Sequence, residues 1–214
     1  MKVFGPAAQD HAQALRFTQR QIEDNETHDL NRIKQSLHIA TDPSPLPEHL
    51  DIESLRQLAS FTNFTYLHYS GNCCLLSACV HYNIENNASI LRTENTSQPH
   101  IGLEGDVVDE VIFGKVLPSS YPLFSIDEVS AEVLRRYEVN GERSCIVSTY
   151  NYIIPLIGES AHDFNAVVVL DSQNKPAVQY LDAWKTSNTT PDSKALEARF
   201  PPSARFTLRS FGSV

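Results

Sequence analysis

The chain reads as an α+β protein in which helices come first and an antiparallel sheet follows. Three observations carry that prediction. Apolar residues recur at helical spacing through most of the first 137 residues and switch to extended runs from Ser144 onward. Two of those runs, 164–170 and 177–182, are joined by Asp171-Ser172-Gln173-Asn174-Lys175-Pro176, whose turn chemistry predicts a hairpin. Strands and helices do not alternate as a parallel βαβ sheet would require.

In order, Ala8, Ala12 and Leu15, then Leu30, Ile33 and Leu37, predict helices within 7–38, with a break at Asn25-Glu26-Thr27 and Thr27 as an N-cap. Thr41-Asp42-Pro43-Ser44-Pro45-Leu46-Pro47 cannot continue a helix and reads as an extended linker. The predicted organisation is therefore a helical extension at 1–40, a proline-rich linker at 41–50 and a catalytic domain at 51–214. A short helix is expected over 51–60. Asn72 is placed to cap a helix that opens at Cys73. The asparagine-rich stretch 83–103 reads mostly as loop, and 105–115 as a helix with Val107, Val108, Val111 and Ile112 inward. Ser125-Ile126-Asp127-Glu128 is a capping box opening a helix to about Tyr137. Strands are expected at 144–149, 164–170 and 177–182, and an edge strand within 205–211.

The 214 residues suffice for one core without metals or disulfides. Seventeen basic against 26 acidic residues leave a net charge of −9, which gains nothing from counterion release and disfavours a nucleic-acid partner. No apolar run approaches the roughly 18 residues of a membrane span. Met1-Lys2-Val3-Phe4-Gly5-Pro6 carries no apolar signal-peptide core, so Sec export is not expected. Of the four cysteines, Cys73, Cys74 and Cys79 crowd together and Cys145 stands apart, with no C-x-x-C pair. This predicts free thiols rather than a disulfide framework or zinc site, and no cofactor is called for.

The chemistry-bearing candidates lie in both halves. A thiol at a helix N-terminus feels the positive end of the helix dipole, an imidazole completes its activation, and a carboxylate orients the imidazole. Among eight histidines, His162 directly precedes the strongest strand. If the turn centres near Gln173 or Asn174, residues facing each other across the hairpin sum to about 346 to 348. His162 then lies opposite 184–186, within a few residues of Asp182, and one bulge or an offset turn closes the gap. Asp171 sits some 25 Å along the strand and is excluded. The candidate triad is Cys73, His162 and Asp182.

Gly71-Asn72-Cys73, Ala161-His162-Asp163-Phe164-Asn165-Ala166-Val167-Val168 and Tyr180-Leu181-Asp182-Ala183-Trp184 together resemble the bacterial papain-fold toxin domain. That group includes effector glutamine deamidases, and the resemblance covers roughly 66–186. Ala161 stands where many members have glycine, and Trp184 where many have glutamine. The resemblance implies a papain-like fold with Cys73 rather than Cys74 as nucleophile, the two lying about 100° apart on the helix. It implies acyl transfer on a target protein bearing a reactive glutamine, with the Cys73 amide and a side chain such as Asn72 holding the oxyanion. Trp184 would shield the imidazole from water. It further implies synthesis in a bacterial cytoplasm, specialised secretion and action inside a host or competitor cell. The N-terminal helices would bind a secretion chaperone or host protein, or pack as a cap on the core. A cysteine peptidase using the same triad and a non-catalytic binding module are the alternatives.

Overall fold

The computed structural model describes residues 24–64, 72–93, 103–154, 158–184 and 196–211. Its elements run α1 (Asp24–Ser36), β1 (Leu37–Pro45), α2 (Ile52–Thr62), α3 (Cys73–Glu85), β2 (Ala88–Thr93), α4 (Gly105–Phe113) and α5 (Ile126–Asn140). They continue with β3 (Ser144–Ile154), β4 (Gly158–Leu170), β5 (Pro176–Leu181) and β6 (Arg205–Arg209). The class is α+β, as expected. Four antiparallel strands in the order β5-β4-β3-β6 form the main sheet, and β1 pairs antiparallel with β2 apart from it.

Two apolar clusters hold these layers together. One packs Leu55 and Leu58 of α2 and Val129 and Val133 of α5 against Val147, Phe164 and Leu208 of the sheet. The other joins Ile33 of α1, Leu75 and Cys79 of α3 and Val108 and Ile112 of α4 to Ile146 of β3. The helix opening at Cys73 contributes to both, which places it at the centre of the molecule. No helix among the described residues is long and apolar enough to cross a membrane.

Several ends match their local chemistry. Asp51 accepts the Ser54 amide at 2.8 Å and Ser54 Oγ accepts the Asp51 amide, closing a reciprocal cap on α2. Ser125 accepts the Glu128 amide, but Glu128 reaches the Phe124 amide at 2.8 Å rather than that of Ser125. Gly114 and Gly141 end α4 and α5 at φ of 73° and 70°, the left-handed conformation that costs glycine least.

Three expectations are corrected. The break at Asn25-Glu26-Thr27 is absent, because α1 runs through it. The proline-rich stretch is not a linker: residues 37–45 form β1, and Pro43 falls in the register irregularity between Ile39 and Ser44 where no ladder bond is lost. The asparagine-rich stretch is not mostly loop, since α3 extends to Glu85 and β2 follows. Asn83 is buried there and works as a clamp, its Oδ1 accepting the Ile90 and Leu91 amides and its Nδ2 donating to the Leu91 carbonyl. The helix expected from residue 7 lies outside the described residues. Within α1, Leu30 and Ile33 are buried, and Asp29 Oδ2 accepts the Glu104 amide at 2.8 Å. This end of the extension is therefore a packed part of the core.

Candidate active site

Cys73 is the first residue of α3, half-buried, at the end of the helix where backbone amides lack intrahelical partners. Asn72 occupies the N-cap position, but its side chain makes no capping bond, and it is buried. Cys74 turns the other way: it is buried, and its thiol donates to the Leu103 carbonyl at 3.3 Å. Burial, with Cys73 beside it, pushes that thiol well above its ordinary range. Cys79 and Cys145 are core residues, and burial pushes the Cys145 thiol up to about 12.

His162 lies on β4, opposite Thr149 of β3. The hairpin pairs Asn165 with Leu181 and Leu170 with Pro176, and each pair sums to 346. The ladder stops at Leu181 without a bulge. Asp182 is the first residue to leave it, and its Oδ2 comes to 3.0 Å from His162 Nε2. Its Oδ1 accepts the Trp184 amide at 3.2 Å, so the turn itself aims the carboxylate. The Trp184 ring lies against the imidazole with centroids 4.6 Å apart. His162, Asp182 and Trp184 are all buried.

Burial alone would pull the His162 imidazole down. The Asp182 carboxylate, by charge and hydrogen bond, and the Cys73 sulfur in the same two ways, push it up to about 10. With Nε2 committed to Asp182, Nδ1 is the nitrogen that remains for Cys73. The arrangement suits a thiolate–imidazolium pair steadied by a buried carboxylate.

Two buried amides hold these parts in register. Asn165 of β4 donates to the Ser77 carbonyl of α3 at 2.9 Å, tying the histidine strand to the cysteine helix one turn beyond Cys73. Asn63 donates to the Ala183 carbonyl at 2.9 Å and fixes the turn that carries Asp182. Sequence reasoning placed no function on either, because a buried asparagine and a turn-forming one look alike in sequence. His81 is a satisfied core histidine: the Phe211 amide donates to its Nε2, and its Nδ1 is 2.7 Å from Ser144 Oγ.

A cavity of about 340 Å³ opens on Cys73 and His162, lined also by Glu104, Asp106, Ser148, Tyr150 and Thr207. Asn72 and Trp184 are not among the described residues lining it. Arg209 forms part of its wall, donating to Asp109 at 2.7 Å and Asp163 at 2.9 Å. Burial raises the Asp109 carboxyl to about 6 against the pull of Arg209. Gly105 packs closely on this pair: a Cβ there would stand 3.3 Å from Arg209 Nη1, a tight contact that the guanidinium would have to yield to by a few tenths of an ångström. Among the described residues no group of His, Cys, Asp and Glu is arranged to hold a metal ion.

Comparison with known proteins places this geometry in a family. The virulence protein vsdE of Salmonella typhimurium and the virulence protein SpvD of Salmonella dublin are each 44% identical over 212 residues, covering 99% of this chain and 98% of theirs. One solved variant of the Salmonella effector SpvD superposes with a TM-score of 0.86 at 43% identity, covering 96% of this chain and 100% of that one. A second variant gives 0.78 at 40% identity, covering 95% and 98%. The family model described as Salmonella plasmid virulence protein SpvD matches residues 1–212. The assignment read from the sequence, to the papain-fold glutamine deamidases, is thereby corrected. The local contexts it used are sixteen residues around three positions, whereas the family match spans almost the whole chain, and this protein belongs to the SpvD family of virulence effectors.

Proposed function

We propose that the chain is a papain-like cysteine hydrolase that attacks a carboxamide of a target protein inside a host cell. The observation that carries the reading is the alignment of Cys73, at a helix N-terminus, with His162, whose far nitrogen lies 3.0 Å from the buried Asp182. The Cys73 thiolate adds to the carbonyl carbon while the backbone amide of Cys73 at the start of α3 stabilises the oxyanion. The His162 imidazolium gives its proton to the departing nitrogen as the C–N bond breaks, leaving a thioester. Water then gives a proton to His162 and attacks the thioester, and the C–S bond breaks to restore the thiolate. The preference for glutamine side chains came with the resemblance now corrected. The chemistry of the site itself is hydrolysis at an amide carbonyl, with ammonia leaving from a glutamine and an amine leaving from a peptide bond.

The relatives' description as effectors supports delivery into a host. The test expresses wild type and Cys73→Ala in host cells and compares the proteomes by mass spectrometry. Glutamine-to-glutamate conversion or new termini that depend on Cys73 are expected. Identical proteomes from the two proteins would remove the hydrolase reading.

A further inference from the structure

Resting on the hydrolase reading, we propose that Arg205 and Tyr150 form a recognition subsite for an acidic side chain of the target. The occupant is an extended segment carrying a carboxylate about three residues from the attacked carbonyl. Side chains alternate across a strand, so Tyr150 shares its face with Ser148 and Arg205 shares its face with Thr207. Ser148 and Thr207 are cross-strand partners, and so are Tyr150 and Arg205. Ser148, Tyr150 and Thr207 all line the cavity that opens on Cys73. The cavity floor therefore continues along one sheet face to Arg205.

Tyr150 also begins a bulge. His162 pairs with Thr149 and Ser160 with Tyr152, so Tyr150 and Asn151 both oppose Ala161. Bulges re-aim side chains beside functional sites, and Tyr150 is 71% exposed at the cavity lip. Arg205 is exposed yet held. Its guanidinium lies 4.6 Å from the centroid of the Phe124 ring, and its Nη1 donates to the Ala204 carbonyl at 2.7 Å. Phe124 is kept beside it because Leu123 and Phe206 exchange both backbone bonds. Among the described residues no carboxylate pairs with Arg205. A cation ordered in advance and left without an anion is suited to a carboxylate, with little entropy lost on binding.

The spacing follows from the ladder. His162 faces Thr149, which faces Phe206, so the Arg205 backbone lies two strands from that of the histidine. At about 4.8 Å per strand this is roughly 10 Å, or about three residues of extended chain. The Arg205 side chain lies on the cavity face shared by Ser148 and Thr207 rather than on the face shared by His162 and Phe206.

The test uses nonapeptides with a central chloroacetylated side chain as the electrophile. Each carries one glutamate or one lysine placed two, three or four residues to either side. Labelling of Cys73 is followed by mass spectrometry, with iodoacetamide as a small control. At the best spacing the glutamate probe should label wild type at least tenfold faster than its lysine counterpart. Arg205→Glu should reverse that order while iodoacetamide labelling stays unchanged. Equal rates for the two probes in wild type overturn the subsite, and so does a glutamate preference that survives in Arg205→Glu. Iodoacetamide labelling of Cys73 no faster than that of Cys145 overturns instead the hydrolase reading beneath it.

Discussion

Replacing Asp182 by asparagine keeps the shape of the site and removes its charge. In the native protein His162 is raised from 6.5 to about 10, which corresponds to about 4–5 kcal/mol of linked stability. Because the folded value is the higher one, that stability is fully present below pH 6.5 and is lost as the pH rises through about 10. Without the Asp182 charge, burial dominates and the imidazole stays neutral. Asp182→Asn should therefore melt well below wild type at pH 6, by about 10 °C for a chain of this size, and the gap should close towards pH 10. Reactivity gives a second view of the same change. A neighbouring imidazolium favours the reactive thiolate, so its loss should slow iodoacetamide labelling of Cys73 at pH 6.5. The two proteins are compared by the rate of Cys73 labelling across pH 6 to 9. Superimposable rate profiles for the two proteins would refute the idea that Asp182 sustains the pair.

Other substitutions probe the packing around the triad. Asn165→Leu strips the Ser77 carbonyl of its buried donor, which should cost about 1–3 kcal/mol. Slower labelling of Cys73 should accompany it, and a melting loss with unchanged labelling would reduce Asn165 to a stabilising role. Trp184→Ala removes the ring packed on the imidazole and should destabilise by about 3–5 kcal/mol; scanning calorimetry checks this, and a loss below 1 kcal/mol would contradict the burial. Thiol titration with a disulfide reagent should find one fast cysteine in the folded protein. That fast phase should vanish in Cys73→Ala and persist in Cys74→Ala, and two fast thiols would show that Cys74 is not sealed behind Leu103.

The main sheet and the approach of Asp182 to His162 were legible because each rests on local chemistry. The turn at Asp171 through Lys175 sets the hairpin register, since Asp171 Oδ1 accepts the Gln173 and Lys175 amides and Asn174 adopts a φ of 58°. From that register alone, Asp182 falls near His162. The helix at Cys73 announces itself through the apolar run that follows it. What remained hidden depends on distant partners. Nothing local distinguishes Pro43 and Pro45 in a strand edge from prolines in a linker; the distinction comes from β2, more than 40 residues away. The β2 segment was obscured in turn by the asparagines around it. The helix break expected at Thr27 gave way because Leu30 and Ile33 already anchor α1 on the core.

The asparagines that misled the reading explain how the site keeps its geometry. Apolar contact is non-directional, so the two core clusters hold α3 against the sheet without setting how far it slides along β4. A misplacement of about 1 Å is enough to cost a reaction a hundredfold. Directional bonds are needed to remove that freedom, and the buried amides supply them. Asn165 fixes the axial position of α3 against β4, Asn63 fixes the turn of Asp182, and Asn83 fixes β2 beside the same helix. Each bonds to main chain, so the constraint acts on the backbone itself rather than on a side chain that can change rotamer. His162 and Asp182 share one hairpin, but Cys73 comes from a helix that no short turn joins to it, so these bonds hold the helix and the hairpin in one relative position.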